Sequence, residues 1–163
     1  MAEVLTPKDL LESWLIGVKL RLLSHYDCAK KLDQYSRMLG IPTVIVSALA
    51  SVISTANSSE FPLAQVATTC VSLLVTILAG LSTFLRYAEQ AEKHKTSANA
   101  FSVLRRDIEV SLVLGDITDA ILNDFKKRWN ELDPNSPSIP DRVYSRHLAN
   151  HRNRHADKTA VKK

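Results

Sequence analysis

The sequence predicts an all-α membrane protein. The expected architecture is a two-transmembrane helical hairpin, with long cytoplasmic coiled helices continuous with the spans and short C-terminal helices after them. Three observations predict it. Met38–Ser59 and Phe61–Leu85 contain no Asp, Glu, Lys or Arg, so Glu60 is the only charge between Arg37 and Arg86. Apolar residues recur four and three apart on both sides of that block, which is the spacing of a helix seam. All 21 Lys and Arg lie outside it, six within residues 1–37 and fifteen within 86–163. The averages conceal this pattern: 163 residues, 45% hydrophobic and a formal net charge of +4 would suit an ordinary water-soluble domain.

The first helix starts at Thr6-Pro7-Lys8-Asp9. Thr6 suits the N-cap, Pro7 the first helical position, and Asp9 the positive end of the helix dipole. Leu11, Leu15, Val18, Leu22, His25, Ala29, Leu32, Ser36 and Leu39 then keep a heptad spacing into the first span. That span, MLGIPTVIVSALASVISTANSS, would be about 33 Å long as a helix. Pro42 lies in its first turns, where a kink is expected. The second, FPLAQVATTCVSLLVTILAGLSTFL, would be about 37 Å. Both exceed a hydrocarbon core of roughly 30 Å. A soluble hairpin of this length would need a charged outer face, and neither segment has one.

Asn57-Ser58-Ser59-Glu60 is too short to be a domain, so the spans are expected to be antiparallel neighbours, with Pro62 in the first turn of the second. The turn has no basic residue. The positive-inside rule therefore puts both termini in the cytoplasm. Arg37 and Arg86 bracket the hairpin at the inner boundary, with Tyr35 and Tyr87 beside them at headgroup level. Beyond Leu85 the seam continues through Tyr87, Ala91, His94, Ala98, Phe101, Ile108 and Leu112, so one helix is expected from Pro62 to Leu114, closed by Gly115. Arg105 interrupts this seam, and Leu104 sits beside it. A third helix is expected over Thr118–Leu132 with Ile121, Leu122, Phe125 and Trp129 on one side, broken by Asp133-Pro134-Asn135-Ser136-Pro137. A short fourth helix is expected from Pro140 to about Asn150, and a disordered basic tail after it. The domain division is then residues 1–115 for the two-transmembrane domain (spans about 39–58 and 62–85, cytoplasmic helices about 8–38 and 86–114), 116–150 for a helical extension and 151–163 for the tail.

Each span has a small, hydroxyl-bearing face. Gly40, Thr43, Ser47, Ser51 and Ser54 recur at helical steps in the first, and Gln65, Thr69, Ser72, Thr76 and Thr83 in the second, with Ala79 and Gly80 among them. Such faces serve helix packing in membranes, and they can also line water. The first stripe and Gly80 are assigned to packing. The second stripe is longer and more polar, and Gln65, Thr69, Ser72, Thr76 and Thr83 are the candidate pore lining. Arg86 is the candidate inner mouth, although snorkelling to headgroups also suits it. Leu15, Leu22, His25, Leu32, His94, Phe101 and Ile108 are the candidate seam that sets oligomer order.

Enzymatic classes find no support. Cys28 and Cys70 cannot make a disulfide framework or zinc ribbon, and the glycines at 17, 40, 80 and 115 cannot form a phosphate loop. Asp27, Asp33, Glu89, Glu92, Asp107, Glu109, Asp116, Asp119 and Asp124 read as solvated helix faces, and no nucleophile–base pattern appears. His147, His151 and His155 share a helical face, but Arg146, Arg152 and Arg154 crowd it, so a basic helix end is read there in preference to a metal site. His25 and His94 read as core or register residues, with a pH response as the alternative. The basic tail suits anionic headgroups. It carries no motif for specific nucleic-acid binding. No metal or cofactor is implied.

Two stretches carry a resemblance: HYDCAKKLDQYSRMLGIPTVIVSALASVIS (25–54) and ILAGLSTFLRYAEQAEKHKTSANAFSVLRRDIEVSL (77–112). The combination of Leu39–Pro42, Ala91–His94 and Leu104–Glu109 resembles the SLATT family, the two-transmembrane effector domain associated with SMODS nucleotidyltransferases and SLOG sensors in bacterial conflict systems. The similarity covers roughly residues 8–115. It implies a pore-forming effector in the bacterial inner membrane, activated by a separately encoded sensor protein or small-molecule signal, with no catalytic residues to carry over. The expected function is accordingly a homo-oligomeric pore whose partners are its own copies and the bilayer, since one hairpin cannot enclose a water path. The rival readings are a non-toxic housekeeping ion channel, a non-conducting membrane scaffold, and a membrane enzyme that would need an acid, base or metal cluster at the headgroup boundary.

Overall fold

The computed structural model describes residues 6–56, 62–115 and 117–161, with side chains over 6–52, 66–115 and 117–154. The elements among these residues are all helices: α1 (Pro7–Ala56), α2 (Pro62–Leu85), α3 (Tyr87–Leu114), α4 (Asp119–Asn135) and α5 (Asp141–Val161). Apolar stretches of α1 and α2 are long enough to cross a membrane, and no described residue of either stretch is buried. A core helix of a soluble protein would bury one side of such a stretch. The turn expected at Asn57–Glu60, Phe61, Asp116, and the side chains of Ser54, Gln65 and His155 lie outside the described residues.

The chain forms two compact units, Met1–Lys30 with Glu92–Lys163, and Lys31–Ala91. The first holds the water-excluding core. Leu11, Val18 and Leu22 of α1 join Ala98, Phe101, Leu104 and Ile108 of α3 and Phe125 of α4, with Trp14, Leu15, Leu112, Ile121, Leu122, Trp129 and Leu132 around them. The four/three spacing therefore identified the faces that pack. At the irregular point of the α3 seam, Leu104 is buried and Arg105 is not, because the leucine can shed its water and the guanidinium cannot.

Local chemistry explains the helix starts. Asp9 N–H donates to Thr6 Oγ1 at 3.2 Å, while Thr6 N–H and Oγ1–H donate to the Asp9 carboxylate at 3.0 and 2.6 Å. This reciprocal cap satisfies orphan donors at the first turn. It holds the Asp9 carboxyl below the usual carboxylate range, chiefly through the Thr6 hydroxyl. Thr118 caps α4 by accepting from Ile121 N–H at 3.4 Å. Gly115 closes α3 with φ 71, and its N–H donates to Ser111 O at 3.0 Å.

Three boundaries differ from the sequence reading. The helix expected over Pro62–Leu114 is two helices, because Arg86 adopts the left-handed region with φ 45. Gln90 supports the break: its side-chain amide donates to Leu85 O at 3.0 Å and its backbone N–H to Arg86 O at 3.1 Å. Second, α4 runs through Pro134 to Asn135 instead of stopping at Leu132. Side chains take the carbonyls left at its end, Asn135 donating to Glu131 O and Ser136 to Leu132 O, each at 2.7 Å. Third, α5 continues to Val161, beyond the end expected near Asn150 and through most of the tail read as disordered. After Pro140 the sequence has no Gly or Pro, and Ala149, Ala156, Ala160 and several Arg and Lys favour helix.

Ion pairs fasten α4 and α5 within the first unit. Arg128 meets Asp107 of α3 at 2.7 Å, and Arg21 of α1 meets Asp133 at 2.6 Å while lying 5.7 Å from the Trp129 ring centroid. Asp27 of α1 binds Arg146 and, at 2.7 Å, His147 Nε2 of α5, and Val143 is buried nearby in sequence. Glu109 holds both Lys19 (2.9 Å) and Arg105 (3.0 Å). The Arg105 hydrogen bonds, then that from Lys19, keep its carboxyl below the usual range. Asp27, Asp107 and Glu109 are thus interhelical partners, where the sequence reading had solvated faces.

Candidate functional site

In the second unit the two apolar helices have distinct faces. Among the described residues of the apolar stretches, the half-buried positions of α1 from Leu39 on are Leu39, Gly40, Thr43, Val46, Ser47 and Ala50, and those of α2 are Thr68, Val71, Val75, Leu78, Ser82 and Leu85. Each set repeats at three or four and so forms one stripe. Thr43 and Ser47, assigned to packing, fall on the covered stripe of α1, while Ser51 is exposed. Gly40 and Gly80 make no close approach within one chain, since a Cβ at either would meet nothing within 4 Å. Thr69, Ser72, Thr76 and Thr83 of the candidate pore lining are exposed and occupy the stripe one position round from the covered face of α2.

Several of these hydroxyls donate to carbonyls of their own helices. Thr43, Ser47 and Ser51 donate to Leu39 O, Thr43 O and Ser47 O at 2.6, 2.7 and 3.0 Å. Thr76 and Thr83 donate to Ser72 O and Ala79 O at 2.9 and 3.0 Å. Back-bonding of this kind lets a hydroxyl sit at apolar depth without a missing partner, and leaves oxygen lone pairs free to accept from water or another helix. Arg86, the candidate inner mouth, is exposed and ion-paired with Glu89. Tyr35 and Tyr87 pack with ring centroids 5.8 Å apart.

The seams of α1 and α3 carry a buried histidine pair. His25 of α1 and His94 of α3 are both buried, and their Nδ1 atoms are 2.9 Å apart. One Nδ1 must carry a proton and the other accept it, so the pair is stable with both rings neutral. His25 also stacks on Phe101, centroids 5.6 Å apart. Burial, the neighbouring His94 and Arg21 together push the His25 pKa down to about 4. Burial lowers that of His94. Leu22, Phe101 and Ile108 are buried in the core, Leu15 is half-buried against it, and Leu32 is half-buried in the other unit. Ser24 Oγ is buried with no hydrogen-bond partner among the described residues.

Sequence reasoning placed both histidines on seams but not opposite each other, and it missed the hold of Asp27 on α5. The partners are 69 and 120 positions apart, so no local pattern could have signalled either contact. Of the histidine face on α5, His147 is engaged by Asp27, and His151 lies beside it along the helix.

Comparison with known families finds a similarity to a family described as a protein of unknown function (DUF4231), whose model matches residues 26–106. The match spans both apolar helices, the Arg86 break and His94, and stops before α4 and α5. No curated protein and no solved structure matches the chain.

Proposed function

We propose that this chain is the subunit of a homo-oligomeric membrane pore, a pore-forming effector of a bacterial conflict system that permeabilises the inner membrane on activation. The observation that carries this reading is the exposed stripe Thr69, Ser72, Thr76 and Thr83 on a helix that is otherwise apolar. Several copies set around an axis give that stripe a shared polar path, which a single chain cannot enclose. Both termini are assigned to the cytoplasm by the distribution of Lys and Arg. The SLATT resemblance supplies the defence setting, with a separately encoded sensor or signal upstream. Pairing of Arg86 with Glu89 leaves this part of the mouth without net charge, so weak ion selectivity is expected.

The test is ion flux from dye-loaded liposomes containing the purified chain. Wild type is expected to release the dye, and Thr69→Leu/Thr76→Leu to reduce release at least tenfold while remaining folded and inserted. Absence of flux from wild type under every trigger, together with the back-bonded hydroxyls, would favour the scaffold. Conductance tolerated by cells on induced expression would favour the housekeeping channel, whereas depolarisation with growth arrest supports the effector.

A further inference from the structure

The first unit contains a cleft of about 410 Å³ that the pore reading does not use, between α1, α3 and α5. That volume is in the range of small-molecule sites. Leu20, Leu22 and Leu23 supply its apolar lining, Lys19, Arg105 and Arg154 its cationic groups, and His147, Asn150 and His151 further polar atoms. Among the described residues no carboxylate lines it. Glu109, which is not part of the lining, binds both Lys19 and Arg105 and so fixes two of the cations in place. The hold of Asp27 on His147 and Arg146 fixes the α5 side in the same manner. A pocket with leucines and several positioned cations from three helices suits a ligand with an apolar body and a multiply charged anionic group, because each oxygen of such a group can take a charge-assisted hydrogen bond.

We propose that this cleft binds a phosphate-bearing small molecule with an apolar portion, either a lipid phosphate or a free organic phosphate. The site lies within one compact unit and does not depend on conduction or on the helices crossing a bilayer. The α5 side of the site lies outside the residues shared with the matching family, so the ligand is expected to be particular to chains with this extension.

The probe is 1-naphthyl phosphate, titrated calorimetrically against the full chain in neutral detergent, with 1-naphthol as the uncharged control. Saturable binding is expected for the phosphate, with naphthol at least tenfold weaker. Lys19→Met and Arg154→Ser should each weaken the phosphate roughly tenfold. Lys19→Met leaves Arg105 on Glu109, and Arg154 is exposed, so both variants keep the fold; circular dichroism checks this. Leu23→Glu, at a half-exposed position, should abolish binding by placing a carboxylate in the cleft. Displacement by dihexanoyl phosphatidate more readily than by phenyl phosphate would assign a lipid source, and the reverse a soluble one. Absence of binding at millimolar probe, equal affinity for naphthol, or binding unchanged in all three variants would overturn the proposal. A pore that conducts but fails this titration would leave the functional reading intact.

Discussion

At the scale of single residues, the buried histidine pair makes a pH prediction with a definite sign. In the unfolded chain His25 titrates near its ordinary value of 6.5, and in the folded chain near 4. Between those values the unfolded state binds more protons, so stability falls as pH drops from 6.5 towards 4, by up to about 3 kcal/mol for His25 alone. Thermal melts at pH 7 and pH 5 should show the lower pH less stable. His25→Phe/His94→Leu, which removes both groups, should flatten the profile over that window; an unchanged slope would sink the assignment. Gly17 offers a second test. A Cβ there would lie 2.6 Å from Cη2 of Trp129, whose rigid ring is flanked by Arg21. Gly17→Ala gains about 1 kcal/mol of helix propensity and loses about 1–3 kcal/mol by overpacking, so a net loss of about 1 kcal/mol is expected. Urea unfolding measures it, and the loss should vanish in a Trp129→Leu background.

At the scale of elements, the separation of α2 from α3 rests on one strained residue. A non-glycine in the left-handed region costs roughly 1–2 kcal/mol. Arg86→Gly should therefore stabilise the protein by about 1 kcal/mol, since the exposed Glu89 pair it sacrifices contributes less. Arg86→Ala should not stabilise, because it keeps the strain. If the two variants behave alike in chemical denaturation, the break does not store strain. The helix α5 is held differently, by Asp27 and the small apolar contact of Val143. Asp27→Asn should raise amide exchange throughout α5 at least tenfold with little change in α1 and α3, whose core does not involve it. Uniform acceleration of all helices would show that α5 is integral to the core.

At the scale of the whole molecule, the chain has two units built on opposite physical principles. One buries leucines, phenylalanines and two histidines away from water, and its surface is tied by interhelical ion pairs. The other leaves Val44, Ile45, Leu49, Val66, Leu73, Leu74 and Ile77 exposed, which is costly in water and favourable in lipid. Liposome flux should consequently rise more steeply than linearly with protein-to-lipid ratio, because a single chain supplies only a fraction of a pore wall. A strictly linear dependence down to one chain per vesicle would contradict the oligomer.

The all-helical class, the two apolar stretches, the Thr6–Asp9 cap, the Gly115 stop and most of the buried seam were legible in the sequence. Each depends on hydropathy or hydrogen bonding within a few residues along the chain, and the helical repeat writes those relations into adjacent letters. The left-handed Arg86 was not legible, since no Gly, Asn or Pro marks it and its support comes from Gln90. Only tertiary packing brought His25 against His94, set Trp129 over Gly17, joined Asp27 to α5 and opened a cationic cleft between three helices. Those contacts link residues 69 to 120 positions apart or more than one helix at once, and their energies exist only after the helices have packed.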